Sequence, residues 1–225
     1  MSHVLISPRR AVAVLGSVVA LAALPAGSIA ALSDASAAPS SESAISTKAL
    51  ALHDAMRALW EAHGTWTERA IVDFVGGLPD TKLVIGRLLQ NQTDIGNAVK
   101  PYYGAKGGKE LTTLLKAHIN AAVGLLEAAK SGDASAIATA KAVFYTNGNQ
   151  VAAFLHAANP RFWSLHAMRK MMRIHLNQVV GLAVDQLQGD YPAAISLYNV
   201  YIGHILHMAD MLSTGIMQQF PAQFR

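Results

Sequence analysis

Three histidines, His63, His118 and His175, recur along this chain at nearly constant spacing. Each is followed 28 or 29 residues later by a polar residue inside an otherwise apolar run: Asn91, Asn147 and His204. The stretches His118–Asp133 and His175–Asp190 align for sixteen residues without a gap, and seven of the sixteen are identical. A period of this length constrains the fold more than any single motif, because each repeat must be one supersecondary unit packing on its neighbours. The unit here is a helical hairpin with a polar residue at a position where packing favours an apolar one.

No stretch alternates with the period of a strand, and apolar residues recur at helical spacing throughout the chain. The expected fold class is all-α: an antiparallel helical bundle of about six helices arranged as three repeated α-hairpins. Helix 1 is expected from about Ser46 to Phe74. Helix 2 follows Asp80 and stops at Pro101, and Gly104, Gly107 and Gly108 form a loop before helix 3. Ser131-Gly132 ends helix 3, and helix 4 stops before Pro160. Helix 5 runs from Ser164 to Gly189, and helix 6 from Asp190 to about Phe220, with Leu197, Val200, His204, His207, Met208 and Met211 in line. Asp80, Asp133 and Asp190 stand at matching turns, where a carboxylate caps the next helix.

Residues 1–37 read as a signal peptide and cleavage region. Arg9-Arg10 forms a positive start, Ala11 to Leu24 is uncharged and apolar, and small-residue sites follow at Ser28-Ile29-Ala30 and Ala35-Ser36-Ala37. The expectation is export to the periplasm, the cell envelope or the medium, by the general or the twin-arginine route. Residues 38–45 form a flexible leader, and 46–225 the bundle. The final helix is interrupted by Asn199, His204, His207 and Asp210, so no stable membrane span is expected in the mature chain. There are no cysteines, so thiolate metal sites are excluded. The formal charge of +4 is scattered and not interleaved with aromatic residues, and nothing forms a nucleic-acid stripe.

Mid-helix positions of antiparallel helices fall at similar heights, so His63, His118, His175 and His204 are expected to face inward in one layer. Asn91 and Asn147 join it, Asp94, Gln150 and His207 stand one turn further on, and Asp94 or Asp210 could add an oxygen ligand. Neutral imidazole binds zinc, copper, iron and nickel, and bundle cores hold such ions on inward side chains. The leading expectation is therefore a transition-metal site (Zn, Cu, Fe or Ni) drawn from His63, His118, His175, His204, His207, Asn91, Asp94 and Asn147. No glutamate occupies the layer, which speaks against a ferritin-type di-iron centre. Two other readings use the same residues. In one, the layer is a structural His/Asn network inside a non-catalytic envelope protein whose surface meets a partner. In the other, the bundle core binds a small molecule.

Several segments carry a resemblance: Trp60 to Trp66-Thr67, Leu78-Pro79-Asp80, Arg87 through Gln90-Asn91-Gln92 to Tyr103-Gly104, Ala158-Asn159-Pro160, and His204 to Asp210. With these the chain resembles an uncharacterised family of bacterial all-helical proteins. Some members carry the labels glycosyltransferase or acetylglutamate kinase. This chain has no nucleotide loop, acidic sugar-nucleotide motif or α/β alternation to support either. The resemblance implies more acidic character where this chain has Asn147-Gly148-Asn149, which argues against a carboxylate role on helix 4.

Overall fold

In the computed structural model, which describes residues 46–225, the chain is an all-α helical bundle. The expected signal peptide and leader fall outside the described residues. Helix α1 spans Thr47–Gly76, α2 Thr81–Ser131, α3 Ala134–Ala158, α4 Leu165–Gln188 and α5 Tyr191–Gln219, and a short 3-10 turn closes the chain at Pro221–Phe224. Among the described residues there are thus five α-helices where six were expected. No helix among the described residues is long and apolar enough to cross a membrane.

Helix α2 nevertheless reverses direction within itself. Gly104, at φ 72° and ψ 173°, is the one residue inside it with non-helical backbone. The two arms fold back until a Cβ built on Gly96 would lie 2.6 Å from the Gly108 carbonyl oxygen. Residues twelve apart on a straight helix would be separated by about 18 Å, so this contact requires a reversal. The expected loop therefore shrinks to one residue. Pro101 does not stop the first arm but lies inside it, because its missing N–H weakens the ladder where it is about to end. Gly104 adopts backbone angles that only glycine reaches cheaply. Gly104→Ala is expected to cost roughly 1–2 kcal/mol in urea unfolding, and an unchanged midpoint would show that the reversal does not depend on this residue.

The helix ends follow local chemistry. The side chains of Ser46, Asp133, Ser164 and Asp190 accept hydrogen bonds from first-turn amides, satisfying donors that have no partner within the helix. Gly77, Gly132 and Gly189 close helices in the left-handed conformation. Asp80 departs from expectation. It stands at the N-cap of α2 without capping, because its carboxylate accepts from Arg69 Nη2 at 2.9 Å.

The main core is centred on Met56, Ile95, Phe144, Met168, Leu176, Tyr201, Ile205 and Met208, and a smaller cluster of Ala70, Val84, Leu88 and Ile119 joins α1 to α2. Trp163 packs so tightly on α5 that no side chain fits at Gly215. The buried face of α5 is Ala194, Tyr201, Ile205, Met208, Leu212 and Ile216, not the stripe through Val200 and His207. Both of those residues are exposed. The helix is apolar nearly all round, so periodicity alone cannot choose its inward face.

Candidate functional site

The middle of the bundle contains three fully enclosed imidazoles. His63 comes from α1, His118 from the second arm of α2, and His175 from α4. The His175 ring lies between the others, with centroids 5.8 Å from His63 and 5.6 Å from His118. Tyr201 stacks on His175 at 5.7 Å, and Phe144 on His118 at 4.8 Å. The side chains are held here by helix packing, with no loop involved.

A single hydrogen-bonding device recurs around the cluster. Asn91 Nδ2 donates to the Leu59 carbonyl at 3.0 Å, Asn147 Nδ2 to the Leu114 carbonyl at 3.1 Å, and His204 Nε2 to the Met171 carbonyl at 3.1 Å. Leu59, Leu114 and Met171 each stand four residues before a cluster histidine. Each polar residue of the second helix thus binds the free lone pair of a carbonyl one turn below the histidine.

These bonds fix protonation states. A carbonyl only accepts, so Asn147 must present Nδ2 to Leu114 and Oδ1 to the other side. His118 Nδ1 lies 2.8 Å from that Oδ1 and must therefore be the donor, which leaves Nε2 as a free lone pair. His63 has two options. Its Nδ1 lies 3.1 Å from Gln92 Nε2 and Asn91 is near the ring, so it accepts from the Gln92 amide or donates toward the Asn91 oxygen. His175 has neither option: the residue in the asparagine's place is His204, which has no amide oxygen to offer. His175 Nδ1 is buried without a partner.

Burial holds all three rings neutral. It lowers the pKa of His63 to about 3, with His118 nearby adding to the effect, and that of His118 to about 4. His175 is lowered well below its usual value by burial and by the surrounding histidines. Burial also lowers half-buried His204.

The three rings line two adjoining cavities. The smaller, of about 30 Å³, has room for about one water. The larger, of about 250 Å³, runs between α1, α2, α3 and α4, and its lining is almost wholly apolar. Exposed Lys141 and Val184 belong to its outer wall.

The other expected ligands lie elsewhere. Asp94 accepts from Gln90 at 3.0 Å, and Arg87 stands 3.6 Å away. Asp210 is paired with Arg57 at 2.7 Å and with His53 at 3.1 Å. His207 is exposed. Asn91 and Asn147 are spent on carbonyls and imidazoles, and His204 occupies the asparagine's place instead of joining the cluster. Of the eight expected residues, the structure brings His63, His118 and His175 together as one cluster of rings with Asn147 hydrogen-bonded to His118, and places Asp94 and His207 elsewhere. Among the described residues no group of three His, Cys, Asp or Glu is disposed to hold a metal ion.

Gln92 is the residue that the repeat conceals. It is fully buried and binds Leu88, Asn91 and His63. The residues that follow Asn147 and His204 are Gly148 and Ile205, so no recurrence marks it.

Comparison with known protein families, curated proteins and solved structures finds no match.

Proposed function

We propose that this chain is a non-catalytic binding protein that holds a small, largely apolar molecule in the core chamber. The observation that carries this reading is the chamber itself: about 250 Å³ of apolar-walled space whose inner end is formed by three neutral imidazoles. Well-packed cores leave few voids larger than a water, and apolar cavities of ~150 Å³ take up benzene. Scaled from that case, this chamber suits about ten non-hydrogen atoms. Such pockets, mostly apolar with a few placed polar groups, are typical of ligand sites. The three recurrent carbonyl bonds favour an origin of the bundle from three copies of one hairpin, and the signal-peptide pattern of residues 1–37 favours action outside the cytoplasm.

The test uses 1-methoxyoctane, an apolar probe of this size. Saturating probe is expected to raise the melting temperature, since it binds only the folded state. Ala122→Phe, which fills the chamber from α2, should fold and lose the shift. No shift in the wild-type protein, together with no heat of binding, would reject the reading.

A second reading keeps the metal ion, now on His63, His118 and His175. What favours it is the amide-fixed tautomer of His118, the orientation that ligating histidines take from their second shell. The ring spacing works against it. With metal–nitrogen distances of about 2.0–2.1 Å, centroids 5.6–5.8 Å apart imply angles of about 120–130°, wider than zinc's tetrahedral preference. Zinc, copper, nickel or iron that raised the melting temperature of untagged protein, with the effect lost in His175→Phe, would reinstate it.

A further inference from the structure

The polar groups at the chamber's inner end restrict what its occupant can be. This step rests on the chamber reading above. The chamber is long and narrow. Its lining on α2 runs from His118 to Ala129 and on α4 from His175 to Leu187, which at 1.5 Å per residue is roughly 17 Å. A length of that order with room for about ten atoms suits an extended alkyl chain better than a ring system.

The inner end asks for a hydrogen-bond donor. Asn147 holds the proton of His118 on Nδ1, so Nε2 can only accept. His175 is not tied to one tautomer, because its Nδ1 has no partner, and it can carry its proton on Nε2 and donate. A group that both donates and accepts satisfies the two rings together, and a hydroxyl is the smallest such group. The spacing agrees. An oxygen about 2.8 Å from each Nε2 lies roughly 4 Å from each ring centre, and centres 5.6 Å apart then subtend about 90° at the oxygen, a workable hydroxyl angle.

Charge narrows the class further. Lys141 is the one ionisable residue of the lining besides the histidines, and it stands on the exposed outer wall. An anionic head at the inner end would have no counter-charge, and a buried unpaired charge is costly. An ammonium head would likewise be a buried charge with no counter-charge at the inner end.

We infer that the ligand is an uncharged, linear, medium-chain alcohol that enters hydroxyl first, donating to His118 Nε2 and accepting from His175.

Three probes of nearly equal size separate the possibilities in calorimetric titration of the intact protein. They are 1-nonanol, its isomer 1-methoxyoctane, which lacks the donor, and octanoate. The expected result is that 1-nonanol binds at least ten-fold more tightly than 1-methoxyoctane and that octanoate binds weakest. Replacing His118 alone strands Asn147 and threatens folding, so the preference is tested in the pair His118→Phe with Asn147→Leu. That variant should bind the alcohol and the ether alike. Equal affinities in the wild-type protein would overturn the hydroxyl assignment while leaving the chamber reading intact. Tightest binding of octanoate would also overturn it, and would place the head at Lys141. If none of the three binds, the chamber reading itself fails.

Discussion

Acidification to about pH 4.5 is expected to unfold this protein, before most ordinary carboxylates have taken up a proton. The sign follows from the three buried imidazoles. Their pKa values in the folded state, about 3 for His63, about 4 for His118 and well below normal for His175, lie beneath the ordinary 6.5. Below 6.5 the unfolded chain therefore binds more protons than the folded one. The stability is complete above that pH and is lost as pH falls toward the folded-state values. Each histidine costs about 1.4 kcal/mol per pH unit in that window, so three cost about 4. Domains of this kind have roughly 5–15 kcal/mol in hand, and for a value near 8 the loss is complete about two units below 6.5. Repulsion among the rings prevents the cluster from charging one member at a time without further cost. Circular dichroism across an acid titration measures the midpoint. His175→Phe removes one of the three groups and should move the midpoint to lower pH. Cooperative unfolding only below about pH 3, unchanged in that variant, would show that the cluster does not govern acid stability.

Removing His118 and removing His175 are expected to have opposite consequences, although both rings are fully buried. His118→Ala should cost roughly 3–5 kcal/mol, as a core aromatic truncation does. It empties the space stacked on Phe144 and leaves Asn147 Oδ1 without a donor. Replacing both partners with apolar residues of similar shape should recover most of that loss, since the penalty comes from stranding one of a pair. His175→Phe, in contrast, removes a polar atom that already lacks a partner. It should be neutral or stabilising in the absence of ligand. Urea unfolding of His118→Ala, His118→Phe/Asn147→Leu and His175→Phe measures all three. A His175→Phe variant as unstable as His118→Ala would mean that His175 supports the fold through contacts other than its unpaired nitrogen.

The helical class, the caps and the central place of three histidines were legible in the sequence because each rests on local or periodic chemistry. Helical spacing recurs in every segment. Ser46, Asp133, Ser164 and Asp190 announce helix starts, and Gly132 and Gly189 announce ends. The pairing of each histidine with a polar residue 28 or 29 positions later is also written in the chain, and it became a hydrogen-bonding relation through the carbonyls of Leu59, Leu114 and Met171.

What the sequence left open was direction. On α5 two apolar stripes compete, and only packing against Trp163 and the α1 core chose Tyr201 and Ile205 over Val200 and His207. Asp94, Asp210 and His207 stand at plausible heights, yet Asp210 is claimed by Arg57 of another helix, which leaves no trace in spacing, His207 faces solvent, and Asp94 is held by Gln90 and Arg87 of its own helix. The reversal at Gly104 depends on two glycines twelve residues apart meeting backbone to backbone. The chamber is the most complete example. A void is the space that side chains from four helices fail to fill, and no single segment encodes it. Sequence by itself determined that the middle of this bundle would be polar and rich in imidazole. Tertiary structure alone decided which imidazoles meet, which nitrogen stays unpaired, and that an apolar chamber opens beside them.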